Sequence, residues 1–361
     1  MTRLHLRPFA ATLILALSAC GGGGYGGGSS VPMSTGQGFA AVRLDADATA
    51  VYTSTHADPN LVNGWGVAMN PSGFAWVADQ ATSKSTFYDG FGVPQSPPVT
   101  IPPGSGAGPQ GPTGIVFNGS AGDFGGAEFV FATLGGTIAA WSPGVSLTDA
   151  VTKVDNAANG SVYTGLALAA QGTARFLYAA NFANGRVDVF DAGFVPVRMA
   201  GAFTDPGLPA GYAPFGIQAI GGDRIVVAYA IPDPVTHEKR AAGLGVLDLY
   251  DSAGALVRRL VSDGGVLNAP WGIALAPADF GKFGGALLVG NFGDGRINAF
   301  DANTGALLGT LGDASGNPIV IDGLWGIAFG NGINDLATRS LFYAAGPADE
   351  THGTFGRIDS M

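Results

Sequence analysis

Two short polar stretches, residues 233–240 and 349–352, place carboxylates beside a histidine. Their candidate groups are His237, Glu238, Asp349, Glu350 and His352. A histidine next to a carboxylate can bind a transition metal or act as a general acid and base. Neither stretch has the spacing of a metal motif such as H-E-x-x-H. A ligand-binding face and an ordinary solvated surface are therefore both compatible with these residues.

A second set of oxygen-bearing side chains follows apolar segments of the chain. Its members are Asp79, Asn181 and Asn291, with Asp294 shortly after the last of them. Oxygens of this kind bind Ca²⁺ or another divalent cation. The same residues also form Asx turns, in which the side chain bonds the backbone two residues on. One ion does not need the same ligand in every repeat, so the repetition favours turns. Asp79, Asn181 and Asn291 are kept as metal candidates, and with Asp294 they belong to the same candidate ligand face as the two polar stretches.

Several other chemistries are disfavoured by the sequence. No Gly-x-Ser-x-Gly segment has the strand-to-helix setting of a nucleophile elbow. The many glycines precede predicted strands rather than helices, which argues against a phosphate-binding loop. With 27 acidic and 17 basic residues the chain has a formal net charge of −10. This balance argues against nucleic acid as a partner.

The first residues have the pattern of an export signal. Basic side chains precede a short apolar stretch that ends in Leu17-Ser18-Ala19-Cys20, and Cys20 is the only cysteine. These residues resemble a bacterial lipobox, which implies a signal peptide at 1–19 and lipid attachment at Cys20. Residues 20–38 are rich in glycine and serine, as in a flexible tether. We expect an exported protein, anchored by lipid to the outer membrane or otherwise held in the periplasm or at the cell surface.

One phrase recurs six times in the rest of the chain. An aromatic residue or threonine is followed by a glycine and an apolar run, and the period is about 50 residues, as in propellers. The six glycines are Gly66, Gly114, Gly165, Gly216, Gly272 and Gly326. Each phrase leads into further strand-like segments, such as the alternating Val187, Val189 and Ile297, Ala299 pairs.

This pattern predicts an all-β fold, a six-bladed β-propeller of four-stranded antiparallel blades, at residues 39–361. The sixth repeat has three strands, so we expect an N-terminal strand at 39–44 to complete the last blade and close the ring. The aromatic residues before the glycines, such as Trp65 and Trp325, are expected to pack between blades rather than to stack on sugars.

The segment 177–191, with Asn-Gly-Arg between two strands, resembles the NHL repeat. Segments 58–66, 204–218, 268–272 and 290–301 resemble more closely a family of exported bacterial NHL-like propellers with a lipoprotein signal. Gly64 stands where that family has proline. The resemblance implies the fold and export rather than an activity.

We therefore expect a monomeric binding or scaffold module for a protein, glycan or small molecule, with enzymatic activity the lesser expectation. The alternative is a metal-dependent hydrolase or lactonase, since the fold is similar to gluconolactonase-like propellers, in which a channel ion polarises a carbonyl and a water. A glutamate ligand near the start of the first blade would favour that alternative, and residues 39–89 contain none.

Overall fold

The computed structural model describes residues 38–234 and 237–361. The predicted signal peptide, Cys20 and all of the predicted tether except Gly38 lie outside the described residues. The first two strands are β1 (Phe39–Ala46) and β2 (His56–Ala57), which pair in parallel. The described chain forms six blades, each a sheet of four antiparallel strands, and β2 extends the sheet of the last blade as a fifth strand.

The first three blades follow the repeat directly. Blade 1 contains β3 (Gly64–Met69), β4 (Ala75–Asp79), β5 (Lys84–Tyr88) and β6 (Val99–Thr100). Blade 2 contains β7 (Pro112–Phe117), β8 (Phe129–Thr133), β9 (Thr137–Trp141) and β10 (Val151–Asp155). Blade 3 contains β11 (Tyr163–Gln171), β12 (Ala174–Asn181), β13 (Arg186–Asp191) and β14 (Pro196–Val197).

The last three blades include one insertion and the ring closure. Blade 4 contains β15 (Ala213–Ala219), β16 (Arg224–Ala230), the inserted hairpin β17 (Pro232–Asp233) and β18 (His237–Glu238), then β19 (Val246–Asp251) and β20 (Leu256–Val261). Blade 5 contains β21 (Pro270–Leu275), β22 (Leu287–Asn291), β23 (Ile297–Phe300) and β24 (Leu307–Thr310). Blade 6 contains β25 (Leu324–Phe329), β26 (Ser340–Ala345), β27 (Thr354–Ser360) and β1.

Helical structure is confined to short turns. Three 3₁₀ turns span Phe124–Gly126, Ala157–Asn159 and Gly281–Phe283. One helical turn, α1, spans Pro347–Glu350. Within the described ranges, no helix has the length and apolarity that crossing a membrane requires.

The ring is closed by the N-terminal strand, as the missing fourth strand of the last repeat predicts. β1 pairs antiparallel with β27, from Phe39 opposite Ser360 to Ala46 opposite Thr354. The predicted six-bladed propeller is therefore confirmed, and the observed closing strand is slightly longer than the predicted segment 39–44. Pairing the two ends of the folded chain leaves no open blade where the ring meets itself.

The repeated glycines allow the inner strands to approach each other closely. A Cβ atom on Gly272 would lie 2.4 Å from the carbonyl oxygen of Trp325, and one on Gly216 would lie 2.2 Å from that of Trp271. Real side chains do not tolerate such distances, so these positions need glycine. The repeat therefore marks the contact between neighbouring inner strands.

The core consists of layers between blades. Six apolar clusters each join two neighbouring blades, including the pair formed by blades 6 and 1. A seventh cluster lies at the centre of the ring. We call the side of the ring where inner strands begin and second strands end the entry face, and the central cluster is drawn from residues close to that face.

Candidate functional site

The channel is filled near the entry face by an aromatic plug, defined as Trp65, Phe215, Trp271 and Trp325. All four side chains are buried. The Trp65 and Trp325 rings are stacked with centroids 3.5 Å apart, and Trp65 also meets Phe215 edge-on at 6.4 Å, although these residues belong to blades 1 and 4. The rings thus pack across the channel as well as between neighbouring blades.

Beyond the plug, the channel between the inner strands narrows to a cavity of about 20 Å³, lined by residues such as Gly114, Leu166 and Ile273. A cavity of this size holds about one water molecule. The plug therefore forms the floor of the entry face, and polar groups above it are the ones that a ligand can reach.

A chain of hydrogen bonds fixes the plug to the loops around it. The Trp325 Nε1 group donates to Asn63 Oδ1 at 3.0 Å, and Asn63 Nδ2 donates to Gln80 Oε1 at 2.8 Å. Gln80 Nε2 then donates to the carbonyl oxygen of Gln110 at 2.7 Å. These bonds connect blade 6 to blade 1 and to the loop that leads into blade 2. They fix the position of the aromatic plug.

Four charged residues above this floor form what we call the mouth cluster: Glu238, Arg240, Asp349 and Glu350. Arg240 Nε lies 2.8 Å from Glu238 Oε1, and Arg240 Nη1 lies 3.6 Å from Asp349 Oδ1. The Arg240 guanidinium stacks over the Phe292 ring, with its carbon 4.3 Å from the ring centroid. Phe292 in turn stacks on Trp325, with centroids 3.8 Å apart. The cluster is therefore built directly on the aromatic floor.

Burial changes the acidity of both glutamates. Glu238 is 1% exposed, and its burial raises the pKa to about 8 even though Arg240 opposes this shift. Burial also raises the pKa of Glu350, against the opposing effects of Arg240, His237 and a hydrogen bond from Asn63. The site thus contains two carboxyl groups that hold protons more strongly than usual, as in many functional sites.

The loops that carry the cluster contain strained backbone. His237 has a φ of 67°, and Ala348, Asp349 and Glu350 have φ values of 54°, 50° and 66°. Such left-handed conformations cost free energy for residues other than glycine and tend to occur at functional sites. In α1 they turn the Asp349 and Glu350 positions toward the mouth of the ring, where they meet Arg240.

The structure brings together several of the residues singled out from the sequence. Glu238, Asp349 and Glu350 surround Arg240, and His237 is close enough to affect the acidity of Glu350. Asp294 lines a cavity of about 180 Å³ together with Arg240, Phe292, Asp322 and Asp349. We call this the mouth cavity. His352 is turned elsewhere, since its Nδ1 lies 2.7 Å from Asp47 Oδ2.

Each of the three metal candidates is hydrogen-bonded to a residue of its own blade or of an adjoining loop. Asp79 Oδ2 accepts hydrogen bonds from Thr86 N at 2.9 Å and Thr86 Oγ1 at 2.8 Å. Asn181 Nδ2 donates to Asp188 Oδ2 at 2.7 Å. Asn291 Nδ2 donates to the carbonyl oxygen of Val266 at 2.9 Å.

These contacts tie strand ends to adjacent strands and loops, and none of the hydrogen bonds described for these side chains is the Asx turn expected from the sequence, in which the side chain bonds the backbone two residues on. Among residues 38–234 and 237–361, no three His, Cys, Asp or Glu side chains are grouped as metal ligands would be. A shared ion at Asp79, Asn181 and Asn291 stays a prediction.

Sequence reasoning missed the central role of Arg240 and Phe292. Arg240 lies two residues after Glu238, which on an extended chain places both on one side and was a usable signal. Nothing in the local sequence marks Phe292 as the surface under the guanidinium, because that contact joins blade 5 to an insertion in blade 4.

Comparison with known proteins gives three sequence relatives, all from Acanthamoeba polyphaga mimivirus. No family model matches the chain. "Uncharacterized protein R648" of Acanthamoeba polyphaga mimivirus is 34% identical over 289 residues, which cover 76% of this chain and 70% of the viral protein. This relative is viral, so the bacterial source implied by the sequence resemblance stays a prediction.

Solved structures support the architecture. A catalytically inactive variant of virginiamycin B lyase from Staphylococcus aureus, with quinupristin, has a TM-score of 0.54 and 14% identity, covering 91% of this chain and 97% of its own. The soluble aldose sugar dehydrogenase of Escherichia coli has a TM-score of 0.52 and 14% identity, covering 90% and 100%. At these identities the similarity concerns the fold alone, whereas the sequence match places this chain in the same family as the mimivirus protein.

Proposed function

We propose that the protein is a lipid-anchored extracytoplasmic binding module that takes a small polar ligand at the mouth cavity. The observation that carries this proposal is the placement of Arg240, stacked on Phe292, with buried Glu238 on one side and exposed Asp349 on the other. Aromatic floors with a few oriented polar groups are typical of small-molecule sites. The anchor is proposed from Cys20 and the apolar stretch before it.

The chemistry of the cavity indicates the kind of ligand. Three carboxylates, Asp294, Asp322 and Asp349, line it with a single guanidinium. This excess of acceptors favours a neutral hydroxylated compound or an amine over an anion. The volume of about 180 Å³ leaves room for part of a larger ligand, such as one end of a glycan or polyamine.

A binding experiment tests the proposal. The full-length protein, purified in detergent, is screened by thermal shift against neutral oligosaccharides and polyamines, and the compounds that raise Tm are measured by calorimetry. For a neutral oligosaccharide we expect Arg240→Gln to weaken binding at least tenfold, and for a polyamine we expect the same of Asp294→Asn, because charge-assisted contacts are worth about 1.5–3 kcal/mol. Arg258→Gln, an exposed arginine on β20, is the matched control. An absence of binding in both compound classes would argue against the proposal.

The second candidate is a metal-dependent hydrolase or lactonase. The observation that favours an enzyme is Glu238, whose pKa burial raises to about 8, since a carboxyl group that is protonated near neutral pH can act as a general acid. Metal content by mass spectrometry, after purification without chelator, distinguishes this candidate from the first. One divalent ion per chain, a melt sensitive to EDTA and lactone turnover lost in Glu238→Gln would favour it.

A further inference from the structure

A second polar pocket lies on blade 6, outside the mouth cluster. Its volume is about 390 Å³. One side is formed by the three adjacent strands β1, β27 and β26, and the other by the connection into β25 and the loop after β1. The residues that matter here are Arg43, Tyr52, Asp322, Tyr343 and Thr354. We call this the blade 6 pocket.

The strand register explains how Arg43 and Tyr343 come to face the same space. Both residues lie directly opposite Gly356, Arg43 from β1 and Tyr343 from β26. Residues opposed in this way present their side chains on one face of the sheet. A Cβ atom on Gly356 would lie 2.4 Å from the Tyr343 hydroxyl oxygen, so the missing side chain provides the room for that ring.

Three residues of this pocket carry hydrogen-bond donors that lack partners in the described part of the chain. Arg43 donates from Nη1 to the carbonyl oxygen of Thr53 at 3.2 Å, but its Nε is buried without a partner and Nη2 makes no hydrogen bond. The hydroxyl groups of Tyr343 and Thr354 make none either, although these residues are only 4% and 3% exposed. Buried polar groups are almost always hydrogen-bonded, so the buried Arg43 Nε indicates a missing acceptor, and the two hydroxyl groups beside it are available to the same acceptor.

The charges around the pocket indicate the chemistry of the ligand that would supply this acceptor. No carboxylate of the described residues lies within ion-pair distance of Arg43, whose guanidinium instead faces the Tyr52 ring at 5.2 Å. Burial raises the pKa of Tyr343 to about 12, so its hydroxyl is a neutral donor at physiological pH. On the opposite wall, Asp322 accepts a hydrogen bond from Ala348 N through Oδ2, while its Oδ1 has no partner. One wall therefore offers donors and a positive charge, and the other offers an acceptor.

We propose that the blade 6 pocket binds a small hydroxylated carboxylic acid. The carboxylate lies against Arg43, Tyr343 and Thr354, and a hydroxyl group donates to Asp322. The volume of about 390 Å³ lies in the range of small-molecule sites and leaves room for a six-carbon sugar acid. This site adjoins the mouth cavity and shares Asp322 with it, but Arg43, Tyr343 and Thr354 line the blade 6 pocket alone, so the proposal does not depend on the proposed function.

Three six-carbon probes test the ligand class by calorimetry on the full-length protein in detergent. Glucuronate carries both the carboxylate and the hydroxyl groups, glucose lacks the carboxylate, and hexanoate lacks the hydroxyl groups. We expect glucuronate to bind at least tenfold more tightly than either of the others. No glucuronate binding overturns the proposal, and so does equal or tighter binding of glucose or of hexanoate.

Variants then test the position of the site. Arg43→Gln should weaken glucuronate binding at least tenfold, and Tyr343→Phe, which keeps the ring, should weaken it about threefold. Arg258→Gln, also on an outer strand, should leave it unchanged. If Arg43→Gln does not fold, Tyr343→Phe decides the outcome. Binding that is unaffected by the pocket variants but lost in Arg240→Gln would assign the ligand to the mouth cavity and overturn the proposal.

Discussion

Gly326 of the sixth inner strand packs against Trp65 of the first, and this contact is where the ring of inner strands closes. A Cβ atom on Gly326 would lie 2.3 Å from the Trp65 carbonyl oxygen. We expect Gly326→Ala to destabilise the fold by about 2–3 kcal/mol, since the backbone must move to admit the methyl group. Urea denaturation measures the change. Gly144→Ala, where the new methyl group meets no atom within 4 Å, should shift stability far less.

Trp325 and Trp65 differ in the hydrogen bond of the indole, and this difference can be measured. Trp325 Nε1 donates to Asn63, whereas Trp65 Nε1 is buried without a partner in the described structure. Trp325→Phe should cost about 1–2 kcal/mol more than Trp65→Phe, because it also leaves the Asn63 carbonyl group without its donor. Equal losses in chemical denaturation would show that this bond does not anchor the plug.

Asp45 makes the ring closure sensitive to pH. The Asp45 side chain is fully buried on β1. Burial, and to a smaller extent repulsion from Asp58, raises its pKa to about 7, although the backbone N–H groups of Ala46 and Asp58 lower it. Asp79 and Tyr88 are the other ionisable groups that interact with this acidic centre. The folded state retains the Asp45 proton at pH values where the unfolded state, titrating near 3.8, has lost it. The contribution of Asp45 to the free energy of unfolding is therefore fully present below about pH 4 and is lost as the pH rises to about 7.

Asp45→Asn removes this titration. The difference in unfolding free energy between the variant and the parent protein should increase by about 2 kcal/mol, in favour of the variant, from pH 5 to pH 8. Denaturant titrations at both pH values provide the measurement, with Asp279→Asn on the exposed loop after β21 as the control. A difference between variant and parent that stays constant with pH would contradict the assignment of the raised pKa to Asp45.

The Glu238–Arg240 pair should also respond to pH. Arg240→Met leaves Glu238 buried without its cation, which costs little when Glu238 is protonated and more when it is ionised. Because burial raises the pKa of Glu238 to about 8, we expect a loss of about 1 kcal/mol at pH 6 and about 3 kcal/mol at pH 9. Adding Glu238→Gln to Arg240→Met should abolish the dependence. If the double variant keeps it, another group is responsible.

The proposed anchor gives a prediction that is independent of the fold. In a bacterial host, the parent protein should incorporate labelled palmitate and sediment with membranes, because acylation of Cys20 supplies the apolar chains. Cys20→Ser should incorporate no label and leave the membrane fraction. Labelling that persists in this variant would exclude Cys20 as the attachment site.

The architecture was readable from the sequence because its signals are local. The glycines at each inner strand repeat because each one faces the backbone of the next blade, as Gly216 faces Trp271. The alternation of Val187 with its polar neighbours reports a strand with two different faces. Even the closing strand follows from counting three strands in the last repeat, since an open blade edge needs a partner.

The arrangement of the sites was decided by the tertiary structure. His237, Glu238, Asp349 and Glu350 were identifiable as polar loop residues, but their grouping around Arg240 depends on an insertion in blade 4 meeting α1 in blade 6. Asp79 and Asn181 were equally prominent in the sequence, but each is hydrogen-bonded to the neighbouring strand of its own blade. Residue type and period determine which blades form, because the same local pattern and the same contact with the next blade recur in every repeat. Which side chains meet depends on how a closed ring brings distant parts of the chain together, as it does for Arg43 and Tyr343 on either side of Gly356.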